Sequence, residues 1–262
     1  STFEPDADPE TNTVDGQAYD DVNCANSTWA TCRGAAGSAA LPSAITMRTG
    51  YSDGSISGLN KFTLLSRGLM GFNTGPTIPA TDTITSATIG MVSSTKLAEA
   101  GGCGADTYAL VGGTGYDSAT NIVGADFATL NTTRQADTDI NQADAGTGTS
   151  HTWTLNATGR ANISQGSGIS RFNIRTGFDM ADSPVACTSD DATIQREAVN
   201  WATADHTTQA APLLTVEHSG AAAAGEDDQD VMQMMYWKLY DLKVAVYYSL
   251  TDFIGTAYAA IK

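Results

Sequence analysis

The chain has 262 residues, 41% of them hydrophobic and only 16% charged, and its 29 acidic against 13 basic side chains leave a formal charge of −16. That balance argues against nucleic acid as a partner, because phosphate binding needs a cationic footprint. The rest of the surface vocabulary is Thr, Ser, Asn, Gly and Ala, which suits a β-rich domain better than a helical one, and all-β sandwiches reach this length as one unit.

The acidic excess reads as a solubility device, including solubility at high salt. It is densest near the start, at Glu4, Asp6, Asp8, Glu10, Asp15, Asp20 and Asp21. The stretch DADPETNTVDG alternates carboxylate and amide oxygens as a calcium loop does. It lacks glycine at the sixth position counted from Asp6 and has Gln17 where the closing glutamate belongs, so a solvated, turn-rich opening and no metal site are expected. Ser1, Thr2 and Phe3 run straight into acids with no basic region or apolar run, so a secretory leader is either removed or never existed. Cys24 and Cys32 either close a small loop as a disulfide or remain two thiols. Cys103 and Cys187 are too far apart for a zinc site.

Residues 29–51 read as edge strands and long loops. Residues 61–91, KFTLLSRGLMGFNTGPTIPATDTITSATIGM, form the centre of the pattern: an apolar strand over 62–72, a loop punctuated by Gly75, Pro76 and Pro79, and an alternating strand over 84–92. Proline lacks the ladder donor and glycine leaves nothing to pack, which fixes the connection and makes the pair a β-arch. A strand follows at 107–111, then a helical turn or two within 124–130, and a polar loop at 131–150. GGTGYD lacks the lysine and helix start of a phosphate loop, so it reads as a tight turn. HTWTLNATG gives a strand with Trp153 and Leu155 on one face, followed by a short helical segment over 157–163. Residues 169–180 alternate again, with Phe172 and Ile174 inward and Arg171 and Arg175 at polar positions. Residues 182–211, including Trp201, read as a long excursion before a closing strand at 213–218.

The ordered blocks SRGLMGFNT, TDTITSATIGM, WTLNATG, ISRFNIRT and AAPLLTVEHS, scattered over residues 61–218, resemble the DNRLRE-type β-sandwich related to the family 96 carbohydrate-binding modules. With the opening STFEPDADPETNTVDGQAYD, that order is also similar to jelly-roll proteins that are structural components of tailed bacteriophages. Asn73 stands where the family has Asp, and Gly90 and Met91 where it has Arg and Leu. The resemblance implies an all-β, jelly-roll-like antiparallel β-sandwich over residues 1–218.

Beyond His218 the pattern changes. A small-residue linker at 219–230 ends in acids that complement a helix start, and residues 231–262 are the most apolar and aromatic stretch of the chain. A helix over 231–250 is expected, with a strand near 244–250 as the alternative. Lys238, Asp241, Lys243 and Asp252 break any run long enough to insert in a membrane. Met232, Met235, Tyr236, Trp237, Leu239, Tyr240, Tyr247 and Phe253 then mark an assembly surface, which either packs back on the sandwich or buries against a neighbouring subunit.

Catalytic signals are sparse. His151, His206 and His218 are the only histidines, and no zinc-protease helix or nucleophile elbow accompanies them. Asp205 beside His206 lacks a serine elbow. No catalytic residue and no cofactor are therefore assigned. Two readings remain. The first is a non-enzymatic virion structural protein, a capsid decoration or cement protein or a head or tail fibre component. It would sit on the virion surface, with copies of itself (a trimer, for example) and a capsid or tail protein as partners. The second is an extracellular carbohydrate-binding module whose Trp29, Tyr51, Tyr116 or Trp201 would stack on sugars of a cell-surface glycan.

Overall fold

The computed structural model of the chain describes residues 1–53, 61–98, 106–113, 119–183 and 195–220. The chain divides into two compact units, Ser1–Ser219 and Gly220–Lys262. The fold described below is that of the first. The expected tail helix, all eight assembly candidates between Met232 and Phe253, Tyr116, Cys103 and Cys187 lie outside the described residues.

In chain order the elements are β1 (Thr2–Phe3), β2 (Asp15–Asp20), α1 (Trp29–Arg33), β3 (Ala39–Leu41), β4 (Thr46–Asp53), β5 (Phe62–Phe72), β6 (Thr83–Ala98) and β7 (Thr107–Gly113). A 3-10 helix (Gly124–Thr129) leads into β8 (Leu130–Arg134), β9 (Ile140–Asn141), β10 (Thr149–Thr154), α2 (Ala157–Ala161), β11 (Ser170–Thr176), α3 (Gly177–Ala181), β12 (Gln195–Ala202) and β13 (Leu213–Ser219). Every ladder between them is antiparallel. The main path runs β1-β13-β6-β12-β4-β5-β11-β7-β8, with β10 on β6, β2 on β5, β3 on β2 and β9 on β7. This is the all-β, antiparallel sandwich expected from the alternating pattern.

β5 and β6 are the two limbs of the predicted arch. They do not pair with each other; β5 pairs β2, β4 and β11, whereas β6 pairs β10, β12 and β13. Met70 and Phe72 of β5 and Ala87, Ile89 and Met91 of β6 share one apolar cluster with Trp153, Phe172, Ile174, Trp201, Leu214 and Val216. Alternation is clean in β6 because only one of its faces is fully covered: Ala87, Ile89 and Met91 are buried, while Ser86, Thr88 and Gly90 between them are only half-buried.

β5 is different, since both its faces are covered. Leu65 and Leu69 point to a second cluster that includes Val14, Trp29, Tyr51, Phe127 and Leu130. Strands buried on both faces read as continuous apolar runs, which is why residues 62–72 show no alternation. α1, the 3-10 helix and α3 supply the covering layer.

Three expectations are corrected. Residues 29–51 are not edge strands and loops throughout. They contain α1, and β4 lies between β12 and β5. The acid-rich opening is not solvated to its end, because β2 is a buried strand in which Asp15 and Asp20 are wholly covered. The 182–211 excursion contains β12, which pairs β4 on one side and β6 on the other. β4 and β12 approach so closely that a Cβ on Gly50, whose φ is +150°, would lie 2.2 Å from the Glu197 carbonyl oxygen. Only glycine fits there.

Candidate functional site

Three of the aromatic residues expected to meet a sugar, Trp29, Tyr51 and Trp201, are not at the surface. Thr28 caps α1, its side chain accepting from the Thr31 backbone nitrogen, and the Cys24–Cys32 disulfide ties the same turn down. That settles the open choice for this pair in favour of the bridge. Trp29 consequently turns inward, with its ring edge-on to Phe62 at 5.0 Å and to Tyr51 at 5.7 Å. Trp201 is fully buried against Tyr108 and Trp153, each at 5.4 Å. With exposures of 5% for Trp29, 2% for Tyr51 and 0% for Trp201, none of the three has a ring face left to stack on a ligand.

A dense concentration of charge lies inside the second layer. Arg67 interrupts the apolar run of β5 and points to the same side as Leu65 and Leu69. Its Nε and Nη2 each donate to Asp179 at 2.8 Å. Arg175 at the end of β11 does the same from the neighbouring strand, Nε at 2.7 Å and Nη2 at 2.8 Å. Its Nη1 donates to the Leu130 and Asn131 carbonyls, and Arg67 Nη1 to that of Phe127. Arg67 also lies 3.8 Å over the Phe127 ring. Arg33 adds a third guanidinium, donating to the Asp179 carbonyl at 2.8 Å and reaching Asp182 at the rim.

Arg175 falls at a polar position of the alternating pattern. It is 3% exposed, because the face it projects from is roofed by α3 and the 3-10 helix rather than open to water. Asp179, which the sequence pattern did not single out, sits four residues on, where the Thr176 side chain caps α3. Burial alone would push its carboxyl up. Arg67 and Arg175 outweigh that and hold it at about 2. The Asp179 carboxylate and the Arg67 and Arg175 guanidiniums are committed to one another and to backbone carbonyls, so their chemistry is that of a buried cross-link between β5, β11 and α3.

The carboxylates of the opening segment serve several ends. Asp6 accepts from the Thr11 side chain and from the Thr11 and Asn12 backbone nitrogens, closing a turn; burial works to raise its pKa, and these donors together outweigh that and hold it below the usual value. Asp15 accepts from the Ala204 nitrogen at 2.9 Å, but its Oδ1 has no partner. Burial, with Asp205 and Glu10 nearby, pushes its carboxyl up to about 8. Among the described residues no group of three or more His, Cys, Asp or Glu is arranged to hold a metal ion. His206 does not pair with its neighbour Asp205 as a catalytic base would; its Nδ1 accepts from the Thr208 and Gln209 nitrogens.

One open concavity of about 320 Å³ lies where β2, β4, β5 and β12 meet, lined by Gln17, Tyr19, Leu41, Thr46, Arg48 and Asn200 among others. Arg48 Nε donates to Asn200 Oδ1 at 3.3 Å across it. Among the described residues no helix is long and apolar enough to cross a membrane. The fold and its polar interior define an antiparallel β-sandwich cross-linked by a buried ionic cluster. The chain matches no family model and no curated protein sequence.

Proposed function

We propose that this protein is structural and acts by assembly: a rigid sandwich presented on a larger particle and attached through residues 231–262. The virion surface of a tailed phage is the setting the sequence resemblance suggests, with the chain as a capsid decoration or fibre component bound to copies of itself and to a capsid or tail protein. One contrast carries the reading. The two large apolar clusters of the described unit are filled by residues no later than Val216, and its exposed large hydrophobics are only Val22, Leu41, Ile45 and Val123. Residues 231–262, by contrast, hold Met232, Met235, Tyr236, Trp237, Leu239, Tyr240, Tyr247 and Phe253. A self-sufficient block joined to a segment of that composition is the division expected of an assembly subunit.

The test is native mass spectrometry of the full chain beside a variant lacking residues 231–262. An oligomer that becomes a folded monomer on truncation supports the proposal. A full chain that is itself monomeric, or a truncated one of unchanged stoichiometry, sinks it. The carbohydrate-binding alternative retains the cleft beside Arg48 and Asn200, and a glycan-array signal abolished by Arg48→Ala would restore it.

A further inference from the structure

Where β1 meets β13, three side chains from distant parts of the chain form a relay. Ser1 Oγ lies 2.9 Å from His218 Nε2, and His218 Nδ1 lies 2.7 Å from Asp82 Oδ2. We propose that Ser1, His218 and Asp82 form a nucleophilic triad that makes Ser1 an acceptor of acyl groups from small esters. The inference is independent of the assembly reading.

The local fold sets each member in place. Ser1 is held by a reciprocal pair of backbone hydrogen bonds with Val216, each 2.8 Å. His218 follows an irregularity in which the β13 register on β6 steps from Glu217↔Ser86 to His218↔Ile84. Bulges of this kind re-aim side chains and are common beside active sites. Asp82 closes the turn that leads into β6, its nitrogen donating to Pro79 and its carbonyl accepting from Gln165 Nε2 at 2.7 Å. The Asp82 side chain is 8% exposed and that of His218 17%, whereas Ser1 is open to solvent. Exposure thus increases from the orienting acid to the nucleophile.

The carboxylate of Asp82 has no proton to give, so a neutral His218 carries its proton on Nδ1 and turns the Nε2 lone pair toward the Ser1 hydroxyl. A serine, a base within hydrogen-bond reach and a third group orienting the base are the geometric requirements for nucleophilic activation. A concavity of about 270 Å³ lined by Ile84, Ala157, Arg160, Ala161 and Gln165 reaches neighbours of His218 and Asp82. Ile84 is the strand partner of His218, and Gln165 is the residue that holds Asp82. Two alanines and an isoleucine suit a short acyl chain there.

In the step itself, Ser1 Oγ bonds to the ester carbonyl carbon as its proton passes to His218 Nε2. The tetrahedral adduct expels the alkoxide, which takes the proton from Nε2 and departs as the alcohol, leaving acyl-Ser1. Water then attacks with His218 again as base, releasing the carboxylic acid and restoring the serine.

The experiment treats the intact chain with an alkyl fluorophosphonate, which forms an Oγ–P bond and releases fluoride, and maps the adduct by peptide mass spectrometry. Ser1 should be labelled at least about tenfold faster than any other serine. His218→Gln should slow labelling about a hundredfold or more, and Asp82→Asn should also slow it, because an orienting acid contributes on that scale. Release of nitrophenolate from 4-nitrophenyl acetate should be lost in Ser1→Ala. Circular dichroism of each variant reports whether the sandwich is intact. Unlabelled Ser1 in the parent protein overturns the proposal whatever the variants do, as does equal labelling in a folded His218→Gln protein. If a variant unfolds, the parent decides, and labelling of Ser1 no faster than that of its other serines overturns the proposal.

Discussion

Arg67 and Asp179 stand 112 residues apart in the chain and meet through two hydrogen bonds of 2.8 Å, both side chains almost wholly buried. Their contact fastens the covering layer to the sheet. Removing one partner of a buried pair leaves an uncompensated charge, which costs about 3–5 kcal/mol. Asp179→Asn is therefore expected to lower the urea unfolding free energy by that amount. Removing the charge of Arg67 as well, by combining Asp179→Leu with Arg67→Met, should remain damaging, because Arg175 is still left without its carboxylate. A double variant close to the parent in stability would show that the cluster is not the fastening.

Three buried carboxyls shape the pH dependence. Asp179, held at about 2, is ionised in the folded protein where the unfolded chain takes up a proton, so its stabilisation is present above about pH 4 and lost as pH falls toward 2. Asp106 and Asp15, raised by burial to about 6 and about 8, do the opposite. The folded state retains protons the unfolded state has lost, so stability falls as pH rises from 4 through each value. Unfolding free energy should decline between pH 4 and 8, and Asp15→Asn should remove the upper part of that decline. Chemical denaturation at pH 4, 6 and 8.5 tests both signs.

The Cys24–Cys32 bridge closes a loop of eight-residue separation. Chain-entropy arguments assign a loop this short about 2–3 kcal/mol. Reduction, or the paired change Cys24→Ala with Cys32→Ala, should cost about that and shift the emission of Trp29, which the bridged turn presses against Phe62 and Tyr51. An unshifted spectrum would mean that α1 holds the ring by itself.

Gly50→Ala brings a methyl group against the Glu197 carbonyl oxygen and imposes a φ that L-residues rarely adopt. A loss of at least about 2 kcal/mol is expected, as for other strained or overpacked positions. Thermal unfolding measures it.

Strands were legible where one face is covered and the other wet. β6, β10 and β13 alternate in sequence and in burial, and β5 announced itself by its apolar run. β12 did not, because its Glu197 is buried beside the side-chain amide of Gln142; a buried acid with a distant partner looks like a surface residue in one dimension. α1 and α3 have five residues each, too few for a helical period to register. Arg67, Arg175 and Asp179 were unreadable as a group for the same reason that makes them useful: their encounter depends on strand pairing. Ser1, Asp82 and His218 likewise meet only because β13 lies between β1 and β6. Trp29, Tyr51 and Trp201 were misplaced on a different point, since tryptophan and tyrosine in loop-like sequence can as readily turn into a core.

Because β1 pairs β13 and no other strand among the described residues, the opening residues must wait for nearly the whole sandwich to leave the ribosome before they can settle. Until then β6, whose upper and lower halves are claimed by β12 and β13, keeps one margin unpaired. Nascent chains of this topology fold late and present adhesive edges while they wait, so the yield of correctly built molecules should depend on translation speed and chaperone supply.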